Sequence, residues 1–334
     1  MNTIGKILKL TTFGESHGPA MGGVLDGMPA GVAIDMDKLQ RFVDRRRTAQ
    51  TVGSSSRDEQ DRVEVLSGIW QGKTLGTPIG FLVRNTDARS ADYEEIAHCY
   101  RPNHADYTWE AKYGIRDPRG GGRASARETV ARVMAGGIAI QALATLGITV
   151  EARVTQVGQV TDEREMEQAI LDAASEGDTL GGIIECVVKG VPAGLGEPLF
   201  GKLHAQLAAA MMSIPSVHGF EYGDGFGMAS KRGSEVMDLF EKRGDGTIGT
   251  ATNHSGGIQG GISNGEDIVM RLAFKPVPTL MREVPTVDRE GNPMTLKPRG
   301  RHDACVLPRA LPIVEAMAAL VILDNYLTKK TNEF

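Results

Sequence analysis

The 334-residue chain has only three cysteines, Cys99, Cys186 and Cys305, which stand far apart with no C-x-x-C spacing. That scarcity excludes a disulfide framework and a thiolate zinc site, and it leads us to expect a reducing, cytoplasmic compartment. The opening MNTIGKILKLTTFG lacks the apolar core and cleavage pattern of a secretory signal, and the apolar run from Ala316 to Leu323 is too short to span a bilayer. No membrane role is therefore expected. No G-x-G-x-x-G opens a helix after a strand, so the Rossmann dinucleotide signature is missing. Nor is there an excess of positive charge. Lys+Arg total 37 against Asp+Glu 42, a net charge of -5, which argues against a nucleic-acid partner.

Glycine, by contrast, is plentiful. There are 42 glycines, well above the usual share of about 7%. Many sit in loop-like clusters, Gly22-Gly23, Gly120 to Gly122, Gly256-Gly257 and Gly260-Gly261, where a backbone can come close to another group. The arginines are also gathered locally. RDPRGGGRASARET, Arg116 to Thr129, places four arginines around three glycines in an otherwise acidic chain. Ser125 and Glu128 form S-x-x-E just before an apolar helical repeat, the pattern of a capping box, so a helix is expected to begin near Ser125. Its amides and positive dipole end, the glycines, and the guanidinium groups of Arg123 and Arg127 together suit a phosphate or carboxylate. The competing interpretation is a surface cluster paired with acids such as Asp117 and Glu128.

Strand patterns bounded by glycine and proline occur at Gly22 to Gly27, Val63 to Gly68, Thr77 to Arg84, Thr149 to Val157, Gly182 to Val188 and Asp267 to Lys275. Helical patterns occur at Asp35 to Arg47, Ser125 to Leu146, Pro198 to Met212, Ser234 to Lys242 and Pro312 to Leu327, the last apolar nearly all round. GGVLDGMPAGV at Gly22 to Val32 is echoed by GGIIECVVKGVPAGL at Gly181 to Leu195. The echo is either a duplicated half or a recurrent strand-to-helix turn. No linker divides the chain, which reads as one α+β domain over residues 1–334. The polar stretch Thr48 to Asp61 is expected to be a lid.

Two motifs are decoys. GESHG, Gly14 to Gly18, fits the nucleophile elbow of α/β-hydrolases, but only thirteen residues precede it, too few for the earlier strand-loop that supplies an oxyanion-hole donor. GIWQGKT, Gly68 to Thr74, is one residue short of a Walker A loop and is followed by a strand pattern, so a hairpin turn is expected. Three histidines stand in loops of similar character: His17, His104 and His302, the last beside Asp303. A phosphate leaving group needs a proton or a fixed charge, and histidine titrates near neutrality.

TTFGESHGPAMGGVLDGMPAG, YRPNHADYTWEAKYGIRDPRGGGRASARET and PRGRHDACVLPRALPIVEAM resemble the three long signatures of the chorismate synthase family. Further similarity at VPAGLGEP, GDGF and NHSGGIQGGISNGEDI extends it over the whole chain. The resemblance implies a β-α-β sandwich with helices packed between antiparallel sheets, assembled as a homotetramer. It implies a cytosolic lyase of the shikimate pathway that makes chorismate from 5-enolpyruvylshikimate 3-phosphate by anti-1,4-elimination of phosphate. Reduced FMN is required without net redox change, with NADPH as a reductant in some members. By the same resemblance, His17 is the proton donor near the substrate phosphate, His104 protonates or holds the reduced flavin, and Asp303 assists as base. Arg46, Arg101, Arg127 and Arg301 match arginines that contact substrate or cofactor. Arg123, Ala124, Ser125, Pro215, Ser216, Gly260, Lys275, Pro276, Val277, Pro278, Thr279 and Arg301 fall where the family contacts FMN. The chain departs from the family pattern at Thr48, Ala49 and Val52 in the expected lid, and at Ala304. A flavin- or phosphosugar-binding protein without chemistry and an NADPH-flavin oxidoreductase are the other functional classes considered.

Overall fold

The structure is a computed structural model describing residues 1–47, 60–86, 95–296 and 303–333. The expected lid, with Thr48, Ala49 and Val52, lies outside the described residues except for its last two positions. Arg301 and His302 lie outside them as well.

Two antiparallel sheets carry the fold. The first orders its strands Thr3–Ile4, Lys9–Phe13, Ala20–Asp26, Ile79–Arg84 and Glu64–Val65. The second orders Val217–Tyr222, Ile268–Phe274, Gly182–Lys189 and Thr149–Val157. In the strand Ile268–Phe274, Ile268, Met270, Leu272 and Phe274 are buried while the residues between them are not, the period-2 pattern of a sheet with one face on the core.

The two longest helices fill the space between the sheets, with others packed around them. α1 (Met36–Asp44) starts at Asp35, whose side chain accepts from the Lys38 amide at 3.0 Å. α2 is Asp106–Tyr113, α3 Thr129–Ala144, α4 Glu163–Ser175, α5 Leu203–Met212 and α6 Leu307–Lys330. α3 packs on α6, on α1 and on strands of the first sheet, and α6 packs on strands of the second. The sheet, helix, sheet layering is the α+β sandwich expected. α6 is long and apolar enough to cross a membrane, but 83% of its apolar window is buried inside the protein, so here it is a core helix.

Both sheets share one topology. Taken in chain order, each places its second and fourth main strands side by side, with the first outside the second and the third outside the fourth. The echoed segments provide that second strand in both, Ala20–Asp26 and Gly182–Lys189, and α1 and α5 follow them.

One expected helix is absent, and both decoy readings hold. Ser234 to Lys242 is not a helix: a short 3-10 turn is followed by Phe240–Lys242, which pairs with Ile248–Thr250 around a turn where Gly246 takes φ 87°. Hairpin pairing there satisfies the backbone better than an exposed helix with no core to bury its face against. GESHG joins two antiparallel strands of the first sheet, so Ser16 lacks the strand-to-helix elbow of a hydrolase nucleophile. GIWQGKT forms the expected hairpin, with φ positive at both Gln71 (47°) and Gly72 (72°).

α3 and α6 approach each other closely where they cross. A Cβ added to Gly136 would lie 2.2 Å from Ala316 Cβ and 2.3 Å from Ala316 Cα. Helix propensity alone favours alanine over glycine by about 1 kcal/mol. The clash reverses the sign, so Gly136→Ala is expected to lower unfolding free energy by about 1–3 kcal/mol in denaturant titration. A stabilised variant would show that the helices do not meet there.

Candidate active site

The glycine loop forms a 3-10 segment, Arg119–Ala124, with Gly121 and Gly122 at φ 84° and 55°. Ser125 then accepts from the Arg127 amide at 3.3 Å and starts a short 3-10 turn, Ala126–Glu128, that runs into α3. The expected capping box is not formed. Glu128 is buried, and its carboxylate accepts from Thr12 Oγ1 at 3.1 Å and from Arg132 Nε at 3.0 Å. A buried carboxylate gains more from a guanidinium than from one backbone amide.

The four arginines of RDPRGGGRASARET separate by role. Arg116 is a buried strut, donating to the carbonyls of Ile96 and Cys99 at 2.9 Å and lying 3.3 Å from Asp106. Arg119 pairs with its neighbour Asp117 on the surface. Arg123 donates to Asn2 Oδ1 at 3.1 Å and to Thr12 O at 2.8 Å, while its buried Nη1 has no hydrogen-bond partner among the described residues. Arg127 is buried and donates to Asp61 Oδ1 at 2.5 Å and to Asn85 Oδ1 at 3.2 and 3.1 Å.

The histidine hairpin folds onto the glycine loop. The Ser16 amide donates to Gly122 O at 3.2 Å, the Ser16 hydroxyl to Arg119 O at 3.3 Å, and that hydroxyl lies 3.2 Å from His17 Nδ1. On the other side of the loop, a Cβ on Gly121 would stand 3.6 Å from Arg101 Nη2. Arg101 grips Asp106 through two 2.8 Å bonds and so fixes the loop that carries His104. Burial would raise the Asp106 carboxyl, but hydrogen bonds and charge from Arg101, with Arg116 behind it, hold it below the usual carboxylate range.

His104 donates from Nδ1 to Pro102 O at 2.9 Å, which leaves Nε2 to accept from Thr279 Oγ1 at 3.2 Å. Burial, with the charges of Arg101 and Lys275 adding to it, pushes the imidazole down to about 4. It is therefore neutral at pH 7 in the free protein. Lys275 donates from Nζ to Asn103 O and from its amide to Ser216 O, both at 2.9 Å. Lys275, Thr279 and Ser216 thus meet the His104 loop, carrying Pro276, Val277, Pro278 and Pro215 with them.

Arg46 is buried, donating to Thr129 Oγ1 and Ala126 O at 2.9 Å and lying 3.5 Å from Asp61. Asp303 pairs with Arg309, whose Nε donates to Arg46 O at 3.0 Å. A continuous chain of hydrogen bonds and ion pairs therefore runs from Asp303 through Arg309, Arg46, Asp61, Arg127 and Asn85 to the His17 turn and the glycine loop, with Arg101 and the His104 loop close to Gly121. Gly260 stands apart, in the turn between Ile258–Gln259 and Ile262–Ser263, a hairpin tied to Gly196 and Leu203. Two members of the chain, Asp61 and Asn85, carry no motif in the sequence, while Arg309 stands inside the third signature, where the resemblance gives it no role.

Neighbouring guanidinium groups, close-approach glycines and two loop histidines form an arrangement chemically able to hold a small polyanion. The comparisons name the family. The chorismate synthase family model matches residues 8–327. Chorismate synthases of Parabacteroides distasonis and Phocaeicola vulgatus are 54% and 52% identical, covering 100% and 99% of this chain and 99% of their own. A crystal structure of a chorismate synthase superposes with a TM-score of 0.76 at 28% identity, covering 98% of this chain and 93% of that one. The chain belongs to the chorismate synthase family.

The depressed His104 has a consequence that can be measured. Between the ordinary histidine value of 6.5 and about 4, the unfolded chain binds a proton that the folded site refuses. The stability that the neutral imidazole contributes is thus complete above about 6.5 and lost as pH falls through about 4. NMR titration of the ring is expected to give a midpoint near 4, moving upward when an anion binds beside it. A free-protein midpoint at 6.5 would contradict the burial described.

Proposed function

We propose that the chain eliminates phosphate from 5-enolpyruvylshikimate 3-phosphate in the anti-1,4 sense, giving chorismate, as a shikimate-pathway lyase using reduced FMN. The observation that carries this is the meeting of His17, the Gly121-Gly122 turn, Arg101, Arg123 and Arg127 at the start of α3. Two carboxylates and a phosphate on one substrate require several guanidinium groups, and the helix start adds amides of the same polarity.

In this proposal the C–O bond to phosphate breaks as a proton leaves C6, and the electrons of that C–H bond complete the diene. His17 donates a proton to the departing phosphate. His104 accepts from Thr279 at Nε2 in the free protein, and a neighbouring anion favours its protonation there. The Asp303 carboxylate, oriented by Arg309, assists as base in that proton's departure. The residues present fit a flavin phosphate and ring: Arg123 keeps a buried Nη1 with no partner among the described residues, and nothing lies within 4 Å of where a Cβ on Gly260 would stand. Arg123, Ala124, Ser125, Pro215, Ser216, Gly260, Lys275 to Thr279 and Arg301 would hold it. When bound, reduced FMN supplies electron density to the carbon losing phosphate and a destination for the proton.

The proposal extends to a cytoplasmic homotetramer with neither nucleic acid nor membrane as partner. Exposed Phe200, Phe226, Phe240 and Ile248 offer apolar surface for subunit contacts. NADPH as the flavin's reductant is tested by NADPH oxidation with added FMN.

Anaerobic incubation with the enolpyruvyl substrate and reduced FMN is expected to release phosphate and chorismate in equal amounts. No turnover under those conditions would overturn the proposal. His17→Ala and His104→Ala are each expected to slow turnover by about a hundred- to a thousand-fold. Unchanged rates in both would remove the histidine roles and leave the family in place.

A further inference from the structure

We propose that Asn85 is a positioning residue for this reaction, fixing the turn that carries His17 at a set distance from the Arg127 guanidinium. The inference rests on the function proposed above. Asn85 follows the strand Ile79–Arg84 at its end, and its main-chain amide donates to Pro19 O at 3.1 Å. Its side-chain nitrogen donates to Gly18 O at 2.8 Å and Glu15 O at 3.2 Å, the two carbonyls that bracket Ser16 and His17. Its side-chain oxygen accepts from Nε and Nη2 of Arg127 at 3.2 and 3.1 Å.

Every hydrogen-bonding position of the carboxamide is used, and every partner is distant in sequence. An asparagine that merely shapes a turn bonds to its own neighbouring backbone. A flipped amide would set NH2 against the guanidinium and oxygen against two carbonyls, so only one orientation is allowed.

The choice of an amide over a carboxylate also has a reason. Asp61 already gives Arg127 a charged partner and lies 3.5 Å from Arg46 as well. A neutral oxygen at position 85 holds Arg127 without cancelling more of the positive charge that a substrate anion needs. An aspartate there would repel the Gly18 and Glu15 carbonyls, releasing the His17 turn, and would add negative charge beside the anion.

Two substitutions separate these effects. Asn85→Ala frees both partners without adding charge, and is expected to lower kcat by about ten- to a hundred-fold, the scale of a misplaced reacting group, with a smaller change in KM. Asn85→Asp is expected to lower kcat and also to weaken binding of inorganic phosphate to the flavin-free protein by about ten-fold or more, as one added charge near the anion should. In protein labelled with 13C-histidine, both variants should move the His17 ring resonances and leave those of His104 in place. Kinetic constants and phosphate affinity within about two-fold of the parent in a folded variant would overturn the inference. So would His17 and His104 resonances moving alike, since that reports general loosening. If Asn85→Ala does not fold, Asn85→Asp, which preserves side-chain volume, gives the same readouts. Phosphate affinity and the histidine spectra need no turnover, so failure of the proposed reaction and failure of this inference are read separately.

Discussion

The burial of α3 between two sheets and against α6 is the constraint on which the other features depend. Twelve of its sixteen residues are buried, and at Gly136 the neighbouring helix backbone is too close for a methyl group. A helix held on all sides cannot slide or tilt, so its first turn is fixed in space. The glycine loop, Arg123 and Arg127 hang directly from that turn. The N-terminal end of α6 brings Asp303 and Arg309 to Arg46, which is itself tied to Thr129 at the start of α3. Core packing and site geometry are therefore one structure rather than a scaffold with a site added.

The charges follow from that rigidity. Guanidinium groups this close together repel, and burial removes the water that would screen them. Asp61 relieves the repulsion between Arg46 and Arg127, Asp106 anchors Arg101, and Glu128 takes Arg132. His104 stays neutral in the same positive surroundings. The donors are thus held in place with little reorganisation left to make.

The fold was legible wherever hydrophobic periodicity was clean. Ile268–Phe274 alternates without interruption, and α3 and α6 repeat apolar residues over several turns. Lys9–Phe13 hides its alternation because one of its buried residues is Thr12, and Val217–Tyr222 contains Gly219 and an irregular register. α4 carried a signal that could have been used, an Asp162 cap followed by buried Met166, Ile170 and Ala173 at helical spacing. Glu128 matched a capping box by spacing, but Thr12, more than a hundred positions away, claimed its carboxylate. Residues of the site in glycine- and arginine-rich loops stood out in the sequence because their composition is unusual. Asp61 and Asn85 did not, because each is an ordinary residue made important by partners distant in the chain.

The most direct test of the central claim is a crystal structure of the protein with FMN and the phosphorylated substrate bound. We expect the substrate phosphate within hydrogen-bonding distance of His17 and of donors from the Gly121-Gly122 loop or Arg127, with His104 and Thr279 on the flavin side of the same cleft. Ligands bound elsewhere, or His17 and His104 facing separate compartments with no ligand between them, would contradict the account.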